Sequence, residues 1–144
     1  MILVGDTSGL IAAFNPADPN HVAARATLQQ AGLTVVSPLV LLEIEHVITR
    51  EVHRDLAYGV NDWLLAQERT GRIGIPEVSA DLLRTARRVQ TRYTDLRLDL
   101  TDATNVAVAH RYATADILTL DRRDFRAVRP LTEHSAFRVL PDDR

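Results

Sequence analysis

The 144-residue chain has no cysteine and no lysine. Without a thiol it forms no disulfide, holds no iron–sulfur cluster and has no cysteine nucleophile. Without lysine it cannot build a P-loop phosphate site, a pyridoxal Schiff base or a phospho-acceptor receiver domain. All 17 basic residues are arginine, a bias for which GC-rich codon usage is reason enough. Aromatic side chains are few (three Phe, three Tyr and one Trp), which limits recognition of nucleobases on stacking platforms. A net charge of −2 excludes a molecule that binds polyanions with its whole surface. No apolar run approaches the ~20 residues that cross a bilayer. The first residues lack a cationic flank and place Asp6 inside the early apolar stretch, unlike a signal peptide. A cytoplasmic protein with no membrane partner is expected. With 46% hydrophobic and 25% charged residues, residues 1–144 are expected to form a single domain around one sizeable core.

Four acidic residues stand among apolar neighbours: Asp6, Glu43, Asp102 and Asp121. Asp6 closes the run Ile2-Leu3-Val4, and Asp121 closes Ile117-Leu118-Thr119-Leu120. In an open parallel sheet, groups just beyond the carboxyl ends of strands tend to meet. Converging carboxylates repel, by roughly 3 kcal/mol per pair at ~5 Å and an effective dielectric of ~20. A divalent cation relieves that repulsion, and hard oxygen ligands select Mg²⁺ or Mn²⁺. The pattern points to metal-dependent phosphodiester chemistry. Ten of the arginines lie between Arg84 and Arg129, where they either frame the acidic cleft or cover a solvated helical face.

Strands and helices alternate along the chain. Residues 2–6 read as a buried strand, followed by a helix over 8–14 and a loop at Asn15-Pro16-Ala17-Asp18-Pro19. Asn20 caps a helix ending before Gly32, and 34–37 form a short strand. Ser37 caps the next helix with Pro38 at its first position. Helical pattern continues toward Gly71 with a break near residues 53–56. A third strand covers 73–75, and Ser79 caps a helix over 80–93 with Leu82, Leu83, Ala86 and Val89 on one stripe. Thr101 caps a helix running to about Ala113, and the last strands cover 117–120 and 137–140. Strands separated by helices imply right-handed crossovers, hence an α/β fold with a mainly parallel sheet.

Four stretches in this order carry a likeness: Val4-Gly5-Asp6-Thr7-Ser8, Ser37-Pro38 leading to Glu43, Asp102-Ala103 opening a helix, and Leu118-Thr119-Leu120-Asp121-Arg122-Arg123-Asp124-Phe125. The chain resembles PIN-domain ribonucleases over essentially its whole length, and in particular the VapC-type toxins of VapBC toxin–antitoxin pairs. The resemblance implies a three-layer α/β/α sandwich and Mg²⁺- or Mn²⁺-dependent endonucleolytic cleavage of structured or single-stranded RNA, with arrest of translation and growth. It implies a VapB-type antitoxin as partner and a homodimer. Gly5 departs from the family, which usually has an apolar residue there.

Asp6, Glu43, Asp102 and Asp121 are the expected catalytic set, with Asp6, Asp102 and Asp121 as metal ligands. Each acid also has a plainer role open to it. Asp6 and Asp121 are good N-caps, and Asp102 sits where a helix dipole favours acid. Asp99, three residues earlier, competes with Asp102, and Asp124 reads as a surface or turn residue. Periodicity does not separate Glu43 from Glu45; only the spacing from Ser37-Pro38 favours Glu43. Arg97, Arg122 and Arg123 are expected on the RNA backbone, a role that fixes register without reading sequence. Ser8, Asn105 and Thr119 are expected to support the acids, with the hydroxyl of Thr7 nearby.

Other chemistries fit less well. His46 follows Glu43 by three residues, but no second Glu-x-x-His pair makes a di-metal site. Asp6-Thr7-Ser8-Gly9 is not the Asp-Thr-Gly loop of aspartic proteases, because Ser8 is inserted. Ser8 has no histidine base beside it in the pattern. A catalytically silent RNA- or protein-binding module and a flap-type DNA nuclease remain as alternatives, the latter short of room for DNA-gripping elements. Between Ile48 and Leu65 the chain carries more apolar side chains than two short helices bury on one face, which suggests a protein interface.

Overall fold

The alternation of apolar residues in the strands divides the molecule into three layers. In the computed structural model, which describes all 144 residues, five parallel strands form one sheet in the order β3-β2-β1-β4-β5. They are β1 (Ile2–Gly5), β2 (Leu33–Val35), β3 (Ile73–Gly74), β4 (Asp116–Leu118) and β5 (Arg138–Leu140). Because successive side chains of a strand face opposite ways, each strand feeds two cores. Val4, Ile117 and Val139 enter one buried cluster, whereas Leu3, Leu118 and Leu140 enter the other.

Helices cover both faces, as an all-parallel sheet requires. The Leu3 side is covered by α1 (Thr7–Phe14), α2 (His21–Gln30), α3 (Pro38–Glu51) and α4 (Arg54–Arg69). The Val4 side is covered by α5 (Ala80–Arg92), α6 (Leu100–Arg111) and α7 (Arg122–Ala127). Local chemistry sets the helix ends. Ser37 accepts a hydrogen bond from Leu39 N (3.1 Å), with Pro38 following it, and Ser79 accepts from Leu82 N (3.1 Å). His53 Nδ1 accepts from Leu56 N (3.1 Å), which starts α4 where the pattern called for a break. Asn61 then ties α4 to α3 by donating to the Leu41 carbonyl (2.9 Å).

Several boundaries differ from expectation, each for a local reason. The cap of α6 is Asp99, not Thr101: Asp99 accepts from Asp102 N (2.8 Å), while Thr101 is buried inside the first turn. Strand β2 stops at Val35 because Ser37 has turned to serve α3. Asn20 precedes α2 without a side-chain cap; Asp18 accepts its backbone N–H instead (2.7 Å). A short 3₁₀ turn (Thr94–Leu96) and a left-handed Arg97 (φ 52°) link α5 to α6.

The strand order places the site. From β1 the chain moves outward through β2 to β3, then returns by α5 and α6 to lay β4 on the other side of β1. The carboxyl ends of β1 and β4 therefore flank the point where the order reverses, the usual place for a ligand in such sheets. The seam is tight. Asp6 N donates to the Leu118 carbonyl (2.9 Å), and a Cβ added at Gly9 would lie 2.5 Å from that same oxygen. Only glycine lets α1 lie so close to β4.

Gly9→Ala is therefore expected to lower the unfolding free energy by about 1–3 kcal/mol, as overpacking does. Gly59→Ala, on the open face of α4 with nothing within 4 Å of the added carbon, should raise it by about 0.5–1 kcal/mol. Chemical denaturation of both variants measures the contrast, and equal effects would remove the steric argument.

Candidate active site

The peptide turns out of β1 at Asp6. Asp6 precedes α1 but makes no side-chain cap. Its carboxylate, 3% exposed, points instead across the β1–β4 seam. Oδ2 accepts from the Thr119 hydroxyl (2.7 Å) and Oδ1 from the Asn105 side-chain amide (3.1 Å). Thr119 has one hydroxyl hydrogen, given to Asp6, so its oxygen accepts from Asp121 N (2.9 Å) and from Ser8 Oγ (3.3 Å). Ser8 Oγ in turn accepts from Leu120 N (2.9 Å). The three supporting residues expected from the sequence thus form one network that fixes Asp6 and the loop after β4.

Helix α3 carries Glu43 to the same place, where its Oε1 accepts from the Thr7 hydroxyl (2.7 Å). The charge of Glu43 reaches both Asp6 and Asp102; Glu45 makes no such contact. Thr7 is thus the group that seats Glu43. No sequence signal distinguishes it from the neighbouring Ser8. Asp102 and Asp99 divide the two roles at the start of α6. Asp99 caps the helix, and Asp102 faces the other acids.

Carboxylate oxygens of Asp102, Asp121 and Asp124 lie within 4.8 Å of one another. Asp121 accepts from Asp124 N (3.3 Å), so it caps α7 and joins the cluster at once. Asp124 is not a plain surface residue. It sits one turn into α7, and its Oδ1 is buried without a partner. The spacing of three from Asp121 on a helix was the signal that could have found it. Asp6 is not one of the three: both its oxygens are taken by the Asn105 and Thr119 donors, while its charge acts on Asp102.

Burial governs the electrostatics. It pushes Asp102 up to about 9, with the Asp6 and Asp99 charges adding to the effect. It pushes Asp6 up to about 6 against the pull of the Thr119 hydroxyl. Asp124 is raised too, by burial first and Asp121 second. The donor set fits a hard divalent cation: three carboxylates converge with oxygens free, and the fully buried Asn105 keeps an Oδ1 with no partner. Of the arginines, Arg97 and Arg123 are exposed and form no ion pair. Arg122 is engaged: its Nε and Nη2 (3.0 Å) both donate to Asp142.

An acid whose pKa is raised by folding holds its proton more firmly in the native state. Its contribution to stability is full below the unfolded value near 4 and is lost as pH rises through the folded one. In chelator, the melting temperature should therefore fall between pH 5 and pH 9 more steeply for the wild type than for Asp102→Asn. Saturating Mn²⁺ should raise it more at pH 8 than at pH 5. Thermal scans showing equal slopes in both proteins, and an equal Mn²⁺ shift at both pH values, would contradict this picture of the acids.

A PIN domain family model matches residues 3–130. Ribonuclease VapC26 of Mycobacterium tuberculosis is 36% identical over 140 residues, which cover 96% of this chain and 100% of that protein. The fold is similar to the crystal structure of M. tuberculosis VapC20, a sarcin–ricin loop cleaving toxin. The TM-score is 0.72 at 24% identity, covering 84% of this chain and 90% of that one. VapBC2 from Rickettsia felis, solved with a fragment of promoter DNA, gives 0.67 at 16% identity over 92% and 96% of the two chains. At such identities the solved structures speak for the fold alone. The family match and the 36% relative establish more: this chain belongs to the PIN-domain family of metal-dependent nucleases, as a VapC-type member.

Proposed function

We propose that the chain is a Mg²⁺-dependent endoribonuclease acting as the toxin of a type II toxin–antitoxin pair. It would cut structured or single-stranded RNA, and Mn²⁺ would serve in place of Mg²⁺. The observation that carries this reading is the convergence of Asp102, Asp121 and Asp124 within 4.8 Å, beside buried Asp6 and half-buried Glu43, at the reversal of strand order. The 36% identity to a protein named as a ribonuclease supports RNA as substrate.

Asp102, Asp121 and Asp124 would hold the cation directly, with Asp6 and Glu43 behind them and Asn105 Oδ1 in reserve. A cation bound there supplies Lewis-acid stabilisation of charge on the phosphate and makes water a better nucleophile near neutral pH. The chain's own work is placement. Thr119, Asn105 and Thr7 fix the carboxylates before substrate arrives, so no reorganisation is needed at the moment of reaction. Both oxygens of Asp6 accept hydrogen bonds, which leaves it unsuited to act as a mobile base. Arg97 and Arg123 would grip phosphates on either side of the cut. Arg122 reaches a phosphate only by releasing Asp142.

The apolar excess between α3 and α4 supports protein partners. Val52, Leu56, Tyr58, Trp63 and Leu65 are exposed, while Ile48, Val60 and Leu64 are core. Trp63 packs edge-on against Phe14 (5.2 Å) beside a cavity of about 440 Å³. A homodimer and capture of a VapB-type antitoxin would cover these surfaces. The fold is shared with VapBC2 and with a Klebsiella pneumoniae toxin–antitoxin complex (TM-score 0.59 at 16% identity), which supports an antitoxin as partner.

Asp6→Ala, Asp102→Ala and Asp121→Ala should each reduce cleavage of an RNA oligonucleotide by more than ~100-fold, and chelator should abolish it. Asp99→Ala and Glu45→Ala should be mild. Undiminished cleavage in chelator would end the metal reading; an inactive Asp99→Ala beside an active Asp102→Ala would reassign the start of α6. For the partners, sedimentation at tens of micromolar should show a dimer, and Trp63 fluorescence should change when the antitoxin is added. A strict monomer with unchanged fluorescence would remove both expectations.

A further inference from the structure

Helix α7 has only six residues, yet it carries part of the carboxylate cluster. At about 100° per residue, its positions point in separate directions. Phe125 is buried and packs edge-on against Phe137 (5.7 Å). Asp124 turns to the acids, and Arg123 to solvent. Arg122 and Arg126, one turn apart, lie on the side opposite Asp124. There each makes a two-pronged contact with the turn that follows β5. Arg122 grips Asp142 through Nε and Nη2, and Arg126 grips Asp143 through Nη1 (2.8 Å) and Nη2 (2.7 Å).

The turn is itself anchored. Val139 N donates to the Asp143 carboxylate (2.8 Å), and Asp143 N donates to the Val139 carbonyl (2.9 Å). Strand β5 is bonded to β4 up to Leu118↔Leu140, and Thr119 N continues the ladder to the Leu140 carbonyl (3.0 Å). A closed circuit results, running from β4 through Thr119 and Asp121 into α7, across the two forks to β5, and back to β4. Half-exposed ion pairs add little to overall stability. Two forks on one short helix do something else, because planar guanidinium–carboxylate pairs fix orientation as well as distance.

We propose that Asp142 and Asp143 are positioning residues for the active site: through Arg122 and Arg126 they set the angle at which α7 presents Asp121 and Asp124 to Asp102. Without them the buried anchors of α7 are Phe125 and the Val128 that follows it, and a helix pivoting about Asp121 carries Asp124 away from Asp102. The proposal rests on the metal-dependent reading above and adds to it a determinant outside the acidic motif.

The test uses the full chain and Mn²⁺ as the probe, with binding measured by calorimetry and cleavage of an RNA oligonucleotide resolved into kcat and KM. Asp142→Asn/Asp143→Asn should weaken Mn²⁺ binding by about tenfold or more, as losing outer supports of metal ligands does. It should lower kcat similarly and leave KM for RNA within about twofold. Asp142→Asn alone keeps the Val139–Asp143 bonds and should give a smaller change of the same kind. Arg122→Lys/Arg126→Lys keeps the charge but not the forks, and should resemble the double Asn variant. Unchanged Mn²⁺ binding and kcat in the Asn and Lys variants, with normal binding by the wild type, overturns the proposal alone. A KM that falls with kcat unchanged overturns it too, since the two acids would then be competing with RNA for the arginines. A wild type that binds no Mn²⁺ overturns the metal reading and this proposal together.

Discussion

Carboxylates drawn from four separate elements repel one another, and the molecule is arranged to hold them together regardless. Asp6 comes from the end of β1, Glu43 from α3, Asp102 from α6, and Asp121 with Asp124 from α7. No one of these elements could keep its acid in place against the others. Each is fixed by a contact made elsewhere: Asp6 by Thr119 and Asn105, Glu43 by Thr7, Asp102 by a helix start that Asp99 caps. The close approach of α1 to β4 at Gly9 allows the β1 and β4 ends to share this work. Burial penalises the charged form of Asp6 and Asp102, and the neighbouring acids add to it, which is why both hold protons above the ordinary carboxylate range.

Much of this was legible in the sequence because the governing signals are short-range. Apolar runs ending in Asp6 and Asp121 mark strands whose last residue is polar for a reason. Ser37-Pro38 and Ser79 announce helix starts with groups that satisfy backbone N–H, and both do so in the structure. The right-handed β–α–β logic fixes the sheet as parallel without any long-range information. The two-faced core follows from alternation in strands as short as three residues.

What escaped the sequence depends on which of two equivalent neighbours tertiary contacts select. Thr101 and Asp99 are both fair caps; packing of α6 against the sheet buries Thr101 and leaves Asp99 free to accept a hydrogen bond. Periodicity along α3 leaves Glu43 and Glu45 equivalent; the spacing from Ser37-Pro38 favours Glu43, and the Thr7 hydroxyl, 36 residues away, supplies the physical contact that the sequence does not show. Asp124 looked like a turn residue because the helix that carries it is short. Its inward direction is set by Phe125 entering the core beside it. The left-handed Arg97 has no glycine or asparagine to announce it.

The forks between α7 and the turn after β5 also bear on the chain's lack of lysine. A third contact of the same form joins Arg138 on β5 to Asp116 on β4 through Nε (2.9 Å) and Nη2 (3.1 Å). At most surface positions a genome's codon bias decides between the two cations, and either serves. At 122, 126 and 138 it does not, because an ammonium offers a point of charge where these carboxylates are met by a plane. A relative from an AT-rich genome would be free to drift to lysine along the outer face of α5, but not at these three positions.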